Sequence, residues 1–130
     1  MEEQIFCRKC DIILSLENCF PSFWKRKFKI CRKCSMNQDK KRVKKYRVLI
    51  LEKLGNKCEC CGITKFSFLS IDHIFGNGQN DRKNYKNYKY YITRLYNMPL
   101  EELKSKYRCL CFNCNYAMGF WNTCPHKWVT

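Results

Sequence analysis

Eight of the twelve cysteines in this chain fall into four C-x-x-C pairs, a spacing that indicates zinc binding. Each pair directs two thiolates at one centre, and two pairs complete the tetrahedron of ligands that zinc prefers. Twenty residues separate the first two pairs and 49 separate the last two. Four thiolates leave no open position for water or substrate, so both sites are predicted to be structural. We therefore predict two structural zinc sites, formed by Cys7, Cys10, Cys31 and Cys34 and by Cys58, Cys61, Cys111 and Cys114.

The other four cysteines are Cys19, Cys60, Cys109 and Cys124. Cys60 competes with Cys58 for the second site, and Cys109 competes with Cys111, but the two-residue spacing favours the paired residues. The segment Cys124-Pro125-His126 could be a fragment of another metal site, but the sequence offers it no partners. We interpret all four as buried or surface thiols.

The composition restricts the class of protein. The chain has 130 residues, the length of one domain or of two very small ones. Its cysteine content is typical of a secreted disulfide scaffold or of a zinc protein. The acidic start, Met1–Cys7, lacks the apolar segment of a signal peptide, and apolar runs such as Val48–Leu51 are too short to span a membrane. We therefore expect an intracellular protein in a reducing compartment, whether organellar, phage or viral, or cytoplasmic, where metal ligation is favoured over disulfides.

The charge indicates a polyanionic partner, with nucleic acid as the first expectation. The formal net charge is +15, and residues 1–57 carry 16 basic and 6 acidic side chains against 10 and 5 in residues 58–130. Apolar residues at helical spacing predict one helix over 36–55, and six of the eight residues from Lys40 to Arg47 are basic. The predicted phosphate contacts are Lys25, Arg26, Lys27, Lys40, Lys41, Arg42, Lys44, Lys45 and Arg47.

Aromatic and basic residues alternate in Phe23–Ile30, between the first two C-x-x-C pairs. This pattern is typical of a hairpin that lies on a nucleic-acid backbone. The alternative is that the aromatic side chains form the small core of a zinc ribbon, and the sequence does not decide between the two.

The second half of the chain alternates strands and helices around an adjacent Asp72-His73 pair. That pair ends an alternating apolar segment and enters a loop broken by glycine, Gly76-Asn77-Gly78. In chain order we predict a strand at Phe66–Ile74, a polar stretch at 80–91, helices near 88–96 and from Pro99, a strand at 106–110, and a helix that opens at Cys111.

Two motifs carry a family resemblance. Leu69-x-Ile71-Asp72-His73-Ile74 and Leu110-Cys111-x-x-Cys114-Asn115-x-x-x-Gly119, set within paired C-x-x-C motifs, resemble the HNH (His-Me finger, ββα-metal) endonucleases. The likeness is greatest to the small homing type found in introns and phages. The N-terminal cysteine pairs and the basic helix after them resemble the segment that often precedes such domains. The resemblance covers nearly the whole chain, and only the residues from Phe120 onward are unaccounted for.

This resemblance implies a role for each site residue. His73 would be the general base, since an imidazole can take a proton from water at neutral pH. Asp72 and Asn115 would bind one catalytic divalent cation, Mg²⁺ or Mn²⁺, which implies a break in the strand pleat at Asp72-His73. Arg82 would hold a phosphate beside the site. The second zinc would position the strand and the helix that bear these residues.

The sequence departs from the family pattern in three places. The middle Asn of the usual HNH signature falls at Lys106, the glycine stretch is Gly76-Asn77-Gly78 rather than an unbroken run, and Asp81 stands where some relatives have a His.

These observations predict a small α+β fold stabilised by zinc. The expected parts are a zinc ribbon at 1–35, a basic linker helix at 36–55, a ββα-metal nuclease domain at 56–121 and a C-terminal tail at 122–130. The predicted function is a metal-dependent DNA endonuclease of the homing or mobile-element type, acting on double-stranded DNA. One alternative is a catalytically retired HNH fold that binds nucleic acid structurally, for example a ribosome-associated RNA binder. A zinc-ribbon transcription or interaction module explains the cysteines but leaves Asp72-His73 unused.

Overall fold

The computed structural model of the protein describes residues 3–128 and forms two compact units, residues 1–44 and 45–130. We call them the N-terminal and the C-terminal unit. The first two and last two residues of the predicted ribbon and tail lie outside the described part of the chain. None of the twelve cysteines forms a disulfide. The helices and strands are α1 Pro21–Lys25, α2 Arg32–Lys53, β1 Leu69–His73, α3 Gly78–Lys83, α4 Tyr88–Asn97, α5 Leu100–Lys106, β2 Tyr107–Cys111 and α6 Phe112–Trp121. The fold is therefore small and α+β, as predicted.

The N-terminal unit has a core of five buried residues, of which three are cysteines: Cys7, Leu14, Cys19, Ile30 and Cys31. Among its described residues, β pairing is limited to one bridge between Phe6 and Ile13. The strands expected of a zinc ribbon are thus reduced to a single contact, because so small a core leaves no apolar face for a sheet to cover.

The segment Phe23–Ile30, for which the sequence left a hairpin and a ribbon core open, begins within helix α1, where Pro21 occupies the first position. Phe23 packs against the buried core, and its ring meets those of Phe20 and Phe28 edge to face at 5.3 and 5.4 Å. Of the two interpretations that the sequence left open, the core interpretation holds for Phe23.

Helix α2 begins at Arg32, four residues before the predicted start, because the second cysteine pair opens it. The Cys31 sulfur accepts a hydrogen bond from the Cys34 amide at 3.5 Å. The helix ends as the sequence predicts, with Gly55 in the left-handed region at φ 96°. The amides of Gly55 and Asn56 donate to the carbonyls of Glu52 and Leu51, the two bonds of a Schellman cap. The boundary between the two units falls within this helix.

The C-terminal unit is built on an antiparallel pair, β1 and β2, with α6 packed on both strands. The register runs from Leu69 opposite Cys111 to His73 opposite Tyr107. Its fully buried apolar residues include Ile50, Leu51, Leu69, Ile92, Leu95, Leu103 and Leu110. They come from α2, both strands, α4 and α5, so these elements share one core around the sheet.

The predicted elements of this unit are largely present, with two differences. The expected strand at Phe66–Ile74 opens with a 3₁₀ turn at Phe66–Phe68, so only Leu69–His73 pairs. The polar stretch after the glycine loop contains the short helix α3, which has no apolar periodicity to reveal it. Across the described residues, helices long and apolar enough to cross a bilayer are absent.

Candidate metal centres and active-site cleft

The structure brings together each predicted set of four cysteines. In the N-terminal unit the sulfurs of Cys7, Cys10, Cys31 and Cys34 all lie within 4.8 Å of one another. The Cys10 and Cys31 sulfurs are 3.8 Å apart. A tetrahedral zinc with Zn–S bonds of about 2.3 Å separates its sulfur ligands by about 3.8 Å. The group could therefore hold a structural zinc ion.

The second set has the same geometry. The sulfurs of Cys58, Cys61, Cys111 and Cys114 lie within 4.8 Å of one another, and those of Cys61 and Cys111 are 3.8 Å apart. Cys111 ends β2 and caps α6, since its sulfur accepts from the Cys114 amide at 3.4 Å. Cys58 and Cys61 lie in a turn. This turn is joined to β2 by a hydrogen bond from the Glu59 amide to the Cys109 carbonyl at 3.0 Å. This group therefore connects the start of the unit with the strand and helix that end it.

A third group lies beside the second, and the sequence indicated only its C-terminal part. Cys60, Cys124 and His126 converge on Cys114, and the four ligand atoms lie within 4.8 Å of one another. The sequence left Cys124-Pro125-His126 as a possible fragment of a metal site without partners, and the structure brings Cys60 and Cys114 beside it. No spacing rule signals this group, because the fold alone brings Cys60 to the C-terminal segment.

Cys19 and Cys109 lie outside these three groups. Both are buried, and burial raises the pKa of each thiol, to about 11 for Cys109. They remain protonated at neutral pH and fill core space.

An open cleft of about 450 Å³ lies at the end of the sheet, beside α3 and α6. Its polar lining includes every residue to which the family resemblance gives a catalytic role, together with Arg108. The residues in question are Asp72, His73, Arg82, Arg108 and Asn115. The two glycines of the predicted loop, Gly76 and Gly78, also line it.

His73 is 7% exposed and is fixed by a carboxylate that sequence reasoning did not single out as its partner. The Nε2 of His73 lies 2.9 Å from Oδ2 of Asp81, and the Tyr107 hydroxyl donates to the same oxygen at 2.5 Å. An ionised carboxylate only accepts hydrogen bonds, so Nε2 carries the proton. The Tyr91 hydroxyl lies 3.5 Å from that nitrogen.

Burial opposes ionisation of Asp81, but the hydrogen bonds from Tyr107 and His73 outweigh it and lower the pKa of the carboxyl group below its ordinary value. Burial, and then the nearby Asp81, raises the pKa of both the Tyr91 and the Tyr107 hydroxyl. At neutral pH the network therefore consists of one carboxylate and two neutral phenols around the imidazole.

The other ring nitrogen of His73 faces Gly78 at the cleft. A Cβ atom added at Gly78 would lie 2.9 Å from Nδ1 of His73 and 3.0 Å from Nη1 of Arg82. The loop needs glycine at this position because the backbone passes so close to both side chains. With Nε2 protonated, Nδ1 presents a lone pair toward the cleft.

Asp72 and Asn115 line the same cleft from the strand and the helix. Arg108, opposite Asp72 in the register, donates from Nε to Oδ2 of Asp72 at 2.7 Å. Asn115 donates from Nδ2 to the Ser70 hydroxyl at 2.9 Å. The Oδ1 of the same amide therefore points away from Ser70. The strand register is continuous through His73, so the pairing of β1 with β2 shows no shift at the implied break in the pleat.

The position of the missing signature Asn is occupied by a surface ion pair. Lys106 donates to Glu102 at 2.8 Å, one turn earlier on α5. Asp81, rather than Lys106, lies next to the imidazole of His73.

Eight of the nine predicted phosphate contacts are exposed, and Arg47 is the exception. Its Nη2 donates to the Leu69 carbonyl at 2.6 Å, and its guanidinium lies 5.9 Å from the ring centres of Phe66 and Phe112. Arg47 therefore ties α2 to the sheet. Arg42 also pairs with Asp39 at 2.8 Å, but on the surface.

Comparison with known proteins yields no match, whether to protein-family models, to curated proteins or to solved structures.

Proposed function

We propose that this protein is a metal-dependent endonuclease of the HNH type that hydrolyses phosphodiester bonds of DNA. The observation that carries the proposal is the convergence of His73, Asp72, Asn115 and Arg82 on one cleft at the junction of two antiparallel strands and a helix. Asn115 is 42 residues from His73 in the sequence, and the resemblance to HNH enzymes assigns a role to each of the four.

His73 acts as the general base in this proposal. Its Nε2 donates to Asp81, so Nδ1 has a lone pair to accept a proton from a water molecule in the cleft. The Asp81 carboxylate then stabilises the imidazolium that forms. Asp81 thereby fixes the tautomer and the orientation of the imidazole.

The donor set fits a hard divalent cation. Asp72 offers a carboxylate, of which Arg108 engages one oxygen, and the Asn115 amide oxygen is turned away from Ser70. Mg²⁺ is commonly held by one or two protein oxygens together with water and substrate phosphate. Such an ion would supply Lewis-acid stabilisation of the charge on the phosphorane and on the leaving oxygen. Arg82 and Arg108 are placed to bind the phosphate itself.

Exposed basic residues at the end of α1, just after it and on α2 support DNA as the substrate class. Lys25, Arg26 and Lys27 and the α2 residues Lys40, Lys41, Arg42, Lys44 and Lys45 all reach solvent. Contacts to phosphate supply affinity without sequence information.

Plasmid cleavage tests the proposal. The protein is dialysed free of added divalent ions with its zinc retained, and nicking is followed after Mg²⁺ or Mn²⁺ is returned. We expect cleavage only after the addition, and its loss by at least about 100-fold in Asn115→Ala. Asn113→Ala, two residues away on the exposed face of α6, is the matched control and should cleave normally.

His73→Gln keeps a polar side chain of similar length at the buried position and should also be inactive. The proposal is wrong if purified wild-type protein binds DNA without cutting it in either metal, or if Asn115→Ala and His73→Gln cut as well as the wild type. Retention of nucleic-acid binding without cleavage would instead identify a retired nuclease fold.

A further inference from the structure

We propose that a third zinc ion binds Cys60, Cys124, His126 and Cys114, and that the Cys114 thiolate bridges it to the zinc of the second cysteine group. The C-terminal unit would then hold a binuclear zinc cluster with six cysteines and one histidine. The inference depends on cysteine and histidine geometry and is independent of the proposed nuclease activity.

The distances around His126 match a tetrahedral zinc site. Its Nδ1 lies 3.1 Å from the Cys124 sulfur, 3.4 Å from that of Cys114 and 3.8 Å from that of Cys60. Zn–S bonds of about 2.3 Å and Zn–N bonds of about 2.0 Å place sulfur and nitrogen ligands about 3.5 Å apart in a tetrahedron. All four ligand atoms lie within 4.8 Å of one another, as in the two groups that the sequence predicts.

The local chain geometry points the C-terminal ligands at one centre. Helix α6 ends at Trp121, and Asn122 at φ 61° reverses the chain direction. A 3₁₀ turn at Pro125–Lys127 follows, closed by hydrogen bonds from Lys127 to Cys124 and from Trp128 to Pro125. This turn sets the side chains of Cys124 and His126 side by side.

Aromatic contacts support the reversed segment independently of any metal. The Trp128 ring meets that of Trp121 edge to face at 5.8 Å, and its indole N–H donates to the Thr123 hydroxyl at 2.7 Å. The segment is therefore placed against α6 by packing as well as by the ligands it presents.

Cys114 belongs to both groups and must serve two metals if both are occupied. A thiolate sulfur has three lone pairs, so it can bind two zinc ions at once. Two separate tetrahedral sites would need eight ligands, and seven residues satisfy both only through one bridge. The two additional thiolates and the third zinc ion cancel in charge, so the cluster leaves the net positive charge of the protein unchanged.

The bridge would connect the end of the chain to the cleft. Cys114 precedes Asn115 on α6, and Asn122, at the end of that helix, also lines the cleft. A zinc bound by Cys60 and by the C-terminal turn would fix α6 at both ends.

Metal content tests the proposal directly. After removal of any affinity tag and loosely bound metal, zinc per chain is measured by mass spectrometry on the full-length protein. We expect three zinc ions in the wild type and two in Cys60→Ser and in Cys124→Ser. Cys19→Ser and Cys109→Ser change buried thiols outside the groups and should retain three.

Cadmium substitution tests the bridge. With ¹¹³Cd in place of zinc, the shared thiolate should produce scalar coupling between two of three cadmium resonances, and Cys124→Ser should remove both the coupling and one resonance. Two zinc ions in the wild type would overturn the third site, whatever the folding of the variants. Three uncoupled cadmium resonances would overturn the bridge, and three zinc ions in both Cys60→Ser and Cys124→Ser would overturn the assignment of ligands.

Discussion

The two units each contain a group of four cysteines, yet the groups enclose different lengths of chain and produce different structures. In the N-terminal unit, 20 residues between the pairs fold around a core of which three of five members are cysteines. In the C-terminal unit, the 49 residues between the pairs include β1, three helices and all of β2 except Cys111, and they contribute most of an apolar core. The same ligand chemistry therefore organises a small basic surface in one case and a cleft in the other.

The units also differ in what they bury. The buried cluster of the N-terminal unit contains only aliphatic residues and cysteines, with Phe23 packed against it. The C-terminal unit buries Ser70 and His73, and both are hydrogen bonded. A buried polar group without a partner is costly, so a fold that retains one specifies its partners closely. This difference supports our proposal that the chemistry lies in the second unit and nucleic-acid binding in the first.

Removal of one zinc ligand from each unit gives the largest expected effect. A structural zinc contributes roughly 10–16 kcal/mol in small zinc-binding peptides, which equals or exceeds the roughly 5–15 kcal/mol stability of a typical domain. We expect Cys58→Ser to unfold the C-terminal unit and Cys7→Ser to unfold the N-terminal unit. Hydrogen exchange of the backbone amides, measured separately over 3–44 and 45–128, distinguishes the two results.

The comparison fails if either substitution exposes amides throughout both units, since the two groups would then stabilise one cooperative structure. Cys109→Ser, at a buried thiol outside the metal groups, controls for the loss of a sulfur atom alone.

The second largest effect is expected on DNA binding, when basic side chains of each unit are replaced by neutral ones. Lys40, Lys41, Arg42 and Lys44 are exposed on the part of α2 that belongs to the N-terminal unit. Each phosphate contact contributes about 0.9 to the slope of log binding constant against log salt on B-form DNA. Changing all four residues to Gln should reduce that slope by up to about 3.6.

The matched control changes four exposed lysines of the C-terminal unit to Gln: Lys57, Lys83, Lys86 and Lys104. Fluorescence anisotropy of a labelled duplex, titrated at several salt concentrations, gives both slopes. If both sets of substitutions reduce the salt-dependence slope equally, DNA binding depends on the net charge of the protein rather than on the basic surface of the first unit.

The features that sequence alone predicts are those with local spacing. The paired cysteines, the strand before His73, helix α4 and the Schellman end of α2 at Gly55 each depend on residues a few positions apart. Short-range geometry is enough to specify them, because a C-x-x-C turn or a C′ glycine forms in the same way in many folds.

The features that sequence missed depend on tertiary contacts. Asp81 reaches His73 through helix α3, whose sequence of six polar residues gives no periodic signal. Cys60 meets His126 only because the sheet brings the first turn of the unit to its last. Arg47 has the same charge as its neighbours, but its position on α2 directs it to a strand carbonyl rather than to solvent.

Substitution of Asp81 measures how far the buried network of the second unit controls its chemistry. Asp81→Asn preserves size but replaces the carboxylate that fixes the Nε2 proton of His73. We expect plasmid cleavage to fall roughly 10–100-fold, as for other groups that orient a functional side chain, with zinc content unchanged. Asp11→Asn, an exposed carboxylate of the N-terminal unit, is the control. Equal cleavage rates in the two variants would mean that the orientation of His73 does not depend on Asp81.

The smallest expected effect is on the free energy of unfolding, when a buried hydroxyl of the second unit and a buried thiol of the first are removed in turn. Tyr107 donates to Asp81 at 2.5 Å, whereas the Cys19 sulfur lies 3.6 and 3.7 Å from its two acceptors. A hydrogen bond to a charged group contributes about 1.5–3 kcal/mol, so Tyr107→Phe should lower the free energy of unfolding at pH 8 by about that amount. Cys19→Ala should have a smaller effect, because thiol hydrogen bonds are weak.

The Tyr107 effect should also depend on pH. The pKa of its hydroxyl is raised in the folded protein, so the folded state keeps a proton that the unfolded state loses above about pH 10. The stabilisation is therefore complete below pH 10 and is lost as the pH rises further, because ionisation then favours the unfolded chain. Urea unfolding at pH 8 and at pH 10.5 should show the gap between wild type and Tyr107→Phe narrowing at the higher pH. If the difference in unfolding free energy between wild type and Tyr107→Phe stays constant, Tyr107 ionises equally in the folded and the unfolded state. The buried groups of the second unit would then differ from those of the first only in residue type.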